Sequence, residues 1–440
     1  MKSAQADDGN HPGQTHRSRA GLISRDAWIV FLISLVVRLV LAFGMGEVFD
    51  ESSDTKRYVE LSERVLAGSF DFEKPEFIVS PLYPVFLASI RLVAGGQWIL
   101  AMELAQSFLS ALETVLLYRI AMLLWNRKRV SWLAALGHAF YPLNLSYVSL
   151  VGQESLFEFL WVACIFWLIV SGRRRNYGSV IASAVFFGLG YLTKSHILLY
   201  APFVCVHYLL NGDSISDSVR KIALFGSISF AISIPWGIYN WQTKNAYILS
   251  SSGYGSHFLG AHHDEYYDFL TKPPVLRSDE WYRAMAWWKH DVFREVFAKR
   301  TESGMSDREF QRMCYEYGLK WCRENPDKYY WLKVTDLGRL VRPGISRHHY
   351  RFEIWLASAL ICTPVFLMAY AGIAWNLRAD FRRHFWILGI ILMMAIYVVS
   401  FYYQGRFRVI TIEEFYLVYA AFSADRFLSW LSKRNAIVEA

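Results

Sequence analysis

The run Ala27–Met45, AWIVFLISLVVRLVLAFGM, leads into Asp50-Glu51-Ser52-Ser53-Asp54-Thr55-Lys56-Arg57-Tyr58. About 20 apolar residues in succession are enough for a helix to cross a bilayer. The run is too long for a signal-peptide core and no small-residue cleavage site follows it, so it reads as a retained span. Three carboxylates, a Lys, an Arg and a Tyr therefore sit where a helix leaves the membrane. If that segment is helical, Asp54 and Arg57 share a face. It reads either as a solvated interfacial loop or as a catalytic loop that other spans hold over a lipid-borne substrate.

The rest of the composition agrees with a membrane protein. Of 440 residues, 54% are hydrophobic and 19% charged, with a mean hydropathy of +0.21. A soluble domain is less apolar and carries about 25% charge. The apolar residues fall into long runs, so the fold class is an all-α polytopic membrane protein. The net charge of +8 lies in Lys and Arg of the short loops between those runs, which is a topology signal and not a nucleic-acid footprint. No nucleic-acid partner is expected. The 17 Trp and 26 Tyr suit interfacial belts. Cys164, Cys205 and Cys362 fall in apolar runs. On one helix, Cys314 and Cys322 would stand roughly 12 Å apart, too far to bridge. No Cys/His zinc spacing appears.

Residues 1–26 read as a disordered cytoplasmic tail, since Arg17, Arg19 and Arg25 precede the first span. Residues 27–240 read as an N-terminal transmembrane bundle, with a first-loop catalytic segment over 47–96. Within that segment, Val59 to Gly68 predicts a short helix. Pro81–Val93, which contains Arg91, is too short to span and reads as interfacial or re-entrant. Trp98–Trp125 spans back to the basic Asn126–Arg129. Trp132–Ser149 goes out, Leu156–Val170 returns to Arg173–Arg175, and Gln153-Glu154 lies at an outside turn. A short outward and return pair follows, with Lys194 and His196 at its outer turn, and Ile222–Ile238 leads out to Asn240.

Residues 241–351 read as an extracytoplasmic soluble domain, mainly helical and about the size of a small domain. Trp281, Met285, Trp288, Val292 and Val296 make one apolar stripe. Ser306-Asp307-Arg308-Glu309 is a capping box opening a helix with Phe310, Met313, Tyr317 and Trp321, which Asn325-Pro326 ends. Residues 352–440 carry three closing spans and a tail, with Gln404–Arg408 outside. The expected total is about ten spans plus one re-entrant helix.

This topology collects acids and cations on one outer face. Charges beside apolar spans are costly and point to function. Asp54 is the candidate general base for an acceptor hydroxyl or amine; the competing reading is a carboxylate that merely pairs with Lys56 or Arg57. Asp50, Glu51 and Asp54 are also candidate oxygen ligands for a divalent metal ion, and no other cofactor is indicated. Glu154 opens an apolar helix, where it either serves the site or complements the helix dipole. Arg406 and Arg408 alternate around Phe407; an extended backbone would turn both guanidinium groups to one side, the fork that grips phosphate. Lys194 is a point charge for phosphate or a snorkelling lysine. His262-His263-Asp264 reads as a surface loop more readily than as a metal triad, because adjacent His residues face apart.

Taken in order, these motifs resemble the GT-C superfamily of integral-membrane glycosyltransferases, in particular the family 39-type enzymes such as protein O-mannosyltransferases and lipid A aminoarabinose transferases. Asp54-Thr55-Lys56-Arg57-Tyr58 is similar to their first-loop motif. Pro81-Leu82-Tyr83-Pro84 resembles the entry to a juxtamembrane helix, and Glu154 matches a second acidic residue. Pro235-Trp236-Gly237-Ile238-Tyr239-Asn240 resembles their Pro-Trp motif, with Tyr239 where Arg is usual. Gly405-Arg406-Phe407-Arg408 resembles their Arg-Tyr-Arg, but Ile412-Glu413-Glu414 replaces the Pro cluster that follows it. The resemblance implies a GT-C-like helix bundle and an inverting transferase of the cell inner (plasma) membrane, with its catalytic face extracytoplasmic. It implies Asp54 and Glu154 as catalytic residues, and Arg57, Tyr58, Lys194, Asn240, Arg406 and Arg408 as substrate-binding residues. The donor would be a polyprenyl-phosphate sugar and the acceptor a lipid, glycan or protein. The alternative is a lipid-linked oligosaccharide flippase or polymerase. A flippase needs cations along a path through the bundle, whereas here they gather at span ends. A non-catalytic scaffold would leave the shared polar face without a purpose.

Overall fold

The computed structural model describes residues 24–45, 53–74, 77–172, 176–212, 214–286, 289–347 and 350–438. The N-terminal tail up to residue 23, Asp50, Glu51, Arg173–Arg175 and Trp288 lie outside the described residues.

The first half of the chain runs α1 Arg25–Met45, α2 Ser53–Leu66, α3 Leu82–Ala94, α4 Trp98–Trp125, α5 Lys128–Ala139, α6 Pro142–Leu145, α7 Glu154–Gly172, α8 Tyr177–Tyr191, α9 Ala201–Asn211 and α10 Ile215–Lys244. A polar segment follows with α11 Tyr254–Ala261, α12 Asp264–Thr271, α13 Asp279–Met285, α14 Asp291–Ser303, α15 Asp307–Glu324 and α16 Pro326–Val341. The chain closes with α17 Phe352–Ala379, α18 Phe381–Ser400, the single turn α19 Gly405–Arg408, a π-helical turn Val409–Glu413, and α20 Glu414–Val438. This is an all-α polytopic membrane fold.

Six stretches among the described residues are long and apolar enough to cross a bilayer; they comprise α1, α3 with α4, α7, α10, α17 and α18. That is fewer than the ten expected. The outward span predicted over Trp132–Ser149 is one of the differences. Its helix stops at Ala139, and Tyr141 turns extended ahead of Pro142, because proline forces the preceding residue out of the helical region. The stripe predicted through Trp281 and Val296 is likewise cut: α13 ends at Met285 and His290 restarts the chain as the extended N-cap of α14. The capping box is present, with the Ser306 amide donating to Glu309 Oε2 at 3.0 Å and the Glu309 amide donating to Ser306 Oγ at 3.4 Å. Pro326 opens α16 directly after α15.

Helix α7 is the hub. It is apolar on all sides and mostly buried, as a helix surrounded by others must be. Phe157 and Trp161 join Tyr200, Trp386, Phe415 and Tyr419 in the main core. A second core, around Tyr58, Leu61, Tyr83, Leu87 and Trp236, seats α2 and α3 at one end of the bundle. In the polar segment, α11 meets α15 so closely that a Cβ on Gly255 would stand 1.7 Å from the Gln311 carbonyl oxygen. Large apolar side chains such as Val40, Leu92, Val93 and Leu360 stay exposed on the outside of the helices, where acyl chains would cover them.

Candidate active site

Four separate pieces of backbone build one polar cluster. Asp54 lies in the first turn of α2, where the helix dipole favours a carboxylate. Arg57 is one turn further on, and its Nη1 is 3.4 Å from Asp54 Oδ1. From the far end of the chain, Arg406 Nη1 donates to Asp54 Oδ2 at 2.7 Å and stands 3.9 Å from Glu154 Oε1. Lys194 Nζ donates to that same Glu154 oxygen at 3.0 Å. Cations and carboxylates thus alternate from Arg57 through Asp54, Arg406 and Glu154 to Lys194, with one positive charge in excess. Accessibility is highest at the Asp54–Arg406 pair and lowest at the Glu154–Lys194 pair. Arg406 and Asp54 keep 40% and 34% of their side chains exposed, while Glu154 keeps 10% and Lys194 3%. Asp54 and Arg406 form the mouth, and Glu154 and Lys194 the floor.

The aromatic wall is Phe407. Lys194 Nζ sits 4.9 Å from its centroid, and His196 stacks on it at 5.2 Å. Burial pushes the Asp54 carboxyl up, but Arg406 and Arg57 outweigh it and hold the carboxyl at about 2. Burial lowers the Lys194 ammonium, with Glu154 opposing. Gln153 supports the floor in the amide orientation that satisfies both of its ends. Its nitrogen then donates to the Thr193 carbonyl at 2.6 Å, and its oxygen accepts from Tyr58 Oη at 2.9 Å and Lys194 Nζ at 3.1 Å.

Local chemistry fixes each piece. Arg91 of α3 donates to the Val59 carbonyl at 3.1 Å, to Ser62 Oγ at 2.8 Å and to Glu63 Oε1 at 3.0 Å. That bond set locks α2, and with it Asp54, onto α3. The Leu82 amide donates to the Leu192 carbonyl at 3.1 Å, two residues before Lys194. The serine-rich loop stitches the floor together: Ser250 Oγ donates to the Tyr191 carbonyl at 2.6 Å, Ser252 Oγ accepts from the Ile78 amide at 2.8 Å, and Ser251 Oγ meets Ser195 Oγ at 3.0 Å. Trp161 Nε1 of the hub helix donates to the Thr411 carbonyl at 3.0 Å and anchors the π-helical turn behind Arg406.

Three expected substrate ligands are placed elsewhere. The Arg406–Arg408 segment is a helical turn, so the two side chains diverge where an extended chain would align them. Arg408 is 1% exposed. Its Nε donates to Glu413 Oε1 at 2.6 Å, and its other nitrogens donate to the carbonyls of Arg339, Arg342 and Gly344. Asn240 is buried; its Nδ2 donates to the Trp236 and Ile248 carbonyls at 2.9 and 3.2 Å, closing the chain as it leaves α10. Tyr58 is buried behind the floor, edge-on to Tyr83 at 4.8 Å. The candidate metal ligands Asp50 and Glu51 lie outside the described residues. Asp264 turns outward to Lys328, and His262 Nδ1 meets the Phe258 carbonyl at 2.7 Å. His263 takes a different partner, His290.

Sequence reasoning also passed over a polar cluster inside the bundle. Arg38, Glu113, His138, Glu158 and Glu414 are all fully buried. His138 Nε2 lies 3.1 Å from Glu113 Oε1, and Arg38 Nη2 lies 3.3 Å from His138 Nδ1. Arg38 sits inside the Ala27–Met45 run, and that was the available signal.

With the geometry established, comparison with known proteins locates the fold. Residues 75–239 match the family model for dolichyl-phosphate-mannose-protein mannosyltransferases. An undecaprenyl phosphate-alpha-4-amino-4-deoxy-L-arabinose arabinosyl transferase of Photorhabdus laumondii is 25% identical over 202 residues, which is 42% of this chain and 35% of the relative. The counterpart in Aeromonas hydrophila is 27% identical over 201 residues, 42% of this chain and 36% of its own. The chain thus spans little more than a third of the curated relatives it matches. Among solved structures, the Archaeoglobus fulgidus oligosaccharyltransferase in complex with an inhibitory peptide and a dolichol-phosphate superposes over 94% of this chain and 51% of its own, with a TM-score of 0.56 and 13% identity. Over the superposed length this chain has the same fold as that oligosaccharyltransferase. The region matched by the family model holds Glu154 and Lys194, while Asp54 and Arg406 come from outside it.

Proposed function

We propose that the chain is a glycosyltransferase of the cell inner membrane that moves a sugar from a polyprenyl-phosphate donor to an acceptor on the extracytoplasmic face, with inversion at the anomeric carbon. The observation that carries this reading is the 2.7 Å pairing of Arg406 with Asp54 across 352 residues of sequence. It joins a proton acceptor to a phosphate-binding fork at a mouth open enough for a substrate. The curated relatives, named as undecaprenyl phosphate aminoarabinose transferases, support the donor class.

In this mechanism the donor phosphate enters the cationic cluster and takes Arg406 from Asp54, with Lys194 below as a second positive charge. A guanidinium matches phosphate oxygens through two parallel bonds. Release from Arg406 makes Asp54 more basic at the moment a base is needed. The acceptor hydroxyl or amine attacks the anomeric carbon and Asp54 takes its proton. The bond from that carbon to the phosphate oxygen breaks, and polyprenyl phosphate leaves with the electron pair and the charge that Arg406 and Lys194 stabilise. Glu154 holds Lys194 in place. A divalent cation at Asp54 would have to displace Arg406 and Arg57 from the oxygens they occupy.

The test compares envelope glycans, by mass spectrometry, from cells lacking the gene and complemented with wild type or Asp54→Asn. The wild type restores one modified glycan or glycolipid, and Asp54→Asn inserts in the membrane at normal level but restores none. A product of normal abundance from Asp54→Asn would overturn the assignment of the base.

A further inference from the structure

We propose that His263, His290 and Glu265 form a binding site for a divalent transition-metal ion, Zn²⁺ or a close relative, in the polar segment between α10 and α17. The inference does not depend on the sugar-transfer reading.

It rests on where the ring protons must be. His263 Nδ1 faces the Leu259 carbonyl at 3.1 Å, and His290 Nε2 faces the Ala284 carbonyl at 3.1 Å. A carbonyl oxygen only accepts, so each of those nitrogens carries its ring's N–H. In the neutral rings the other nitrogens, His263 Nε2 and His290 Nδ1, are then bare lone pairs. They point at each other from 2.6 Å. Two acceptors at that separation repel unless a cation lies between or beside them.

A carboxylate completes the set. Glu265, in the first turn of α12, offers an oxygen within 4.8 Å of a ring nitrogen of each histidine. Glu265 Oε2 also accepts from the Asp291 amide at 2.9 Å, which fixes the carboxylate against the start of α14. The two rings are 4% and 2% exposed. Metal-bound histidines characteristically donate their second ring N–H to a carbonyl or carboxylate, which orients the ring and raises its basicity; both rings here are held in that way. Two imidazoles and a carboxylate suit Zn²⁺, Cu²⁺ or Ni²⁺ over Mg²⁺ or Ca²⁺. Tetrahedral Zn²⁺ with bonds of about 2.0–2.1 Å puts its nitrogens about 3.4 Å apart, so the rings need part by under about 1 Å.

The position gives such an ion something to do. His263 caps α12 and packs edge-on to Phe293 of α14 at 6.2 Å. Phe293 belongs to one small core of this segment, and Phe269 and Leu270 of α12 to another. An ion on His263, Glu265 and His290 would bind the two cores together across α13. Small cores commonly need such a staple.

The test uses the full chain in detergent, stripped with EDTA and titrated with Zn²⁺ by calorimetry and by thermal unfolding. The wild type is expected to bind one equivalent and to unfold at higher temperature with Zn²⁺. In His290→Ala, and in the isosteric Glu265→Gln, affinity falls by more than the roughly 10–100-fold that loss of an outer partner alone causes, and the Zn²⁺-dependent shift disappears. The absence of Zn²⁺ binding by the wild type would overturn the site whatever the variants do. So would wild-type affinity in the His263→Ala/His290→Ala double variant, which leaves the Glu113–His138–Glu414 group intact.

Discussion

Arg406→Ala separates the two roles assigned to one guanidinium, its hold on Asp54 and its hold on phosphate. The Asp54 carboxyl stands at about 2 with Arg406 in place and returns toward its ordinary 3.8 without it. At about 1.4 kcal/mol per unit this is roughly 2 kcal/mol, and screening of a carboxylate that is one-third exposed leaves about 1 kcal/mol. A depressed carboxyl stabilises the folded state above its unfolded value, and that contribution is lost as pH falls through the folded value. The variant should therefore be less stable than wild type at neutral pH, and the difference should vanish as pH falls from about 4 to about 2. The second role is larger. A charge-assisted hydrogen bond is worth about 1.5–3 kcal/mol, or about 10–150-fold in affinity. The lower end applies here, because phosphate must first displace Asp54. The assay is equilibrium binding of a fluorescent polyprenyl phosphate to the protein in nanodiscs, with Arg406→Lys as a partner variant that keeps the charge and loses the fork. An Arg406→Ala affinity within about twofold of wild type would refute the phosphate assignment.

Arg408→Met should behave in the opposite way. It leaves Glu413 buried without its cation, which costs about 3–5 kcal/mol; the melting temperature in detergent should drop sharply, while the protein that remains folded binds polyprenyl phosphate as wild type does. Asn240→Ala removes two hydrogen bonds to backbone carbonyls, one buried and one half-buried, about 1–3 kcal/mol, and should lower stability and leave the KM for donor unchanged in a transfer assay.

What could be read from the sequence was what local rules control. The apolar run to Met45 is a helix, Asp54 and Arg57 pair at their three-residue spacing, and Ser306 and Glu309 close their capping box. What could not be read was set by neighbours far away in the chain. Residues Gly405–Arg408 are helical and not extended because the turn runs straight into the helix whose first π-helical turn Trp161 anchors; no property of those four residues announces it. Asn240 matched a motif position, yet only the fold shows that two carbonyls claim its amide. The break in the expected Trp132 span was written in Pro142, whose effect on Tyr141 outweighs the apolar run around it. The His263–His290 pairing escaped for another reason. The residues are 27 apart, and a search for helix-spaced pairs cannot see a contact made between two helix caps.

The Ile412-Glu413-Glu414 that stands where the resembled motif has prolines and the placement of Arg408 away from the polar cluster have one structural cause. Glu413 sits five residues after Arg408 in a π-helical turn, which carries its carboxylate back to Arg408 Nε at 2.6 Å, where Tyr141 Oη shares it. Glu414 points to the other side, accepts from Asn144 Nδ2 at 2.7 Å and joins Glu113 and Glu158 inside the bundle. A proline at 413 would leave Arg408 without its anion, and a proline at either position would take a backbone N–H from the turn. Where the resemblance implies two arginines on the phosphate, this chain has engaged one of them as a strut, locked to the Arg339–Gly344 carbonyls that lead into α17. In the proposed reaction the donor grip therefore falls to Arg406 and Lys194, one at the mouth and one on the floor, and the strut holds the turn that carries the first of them.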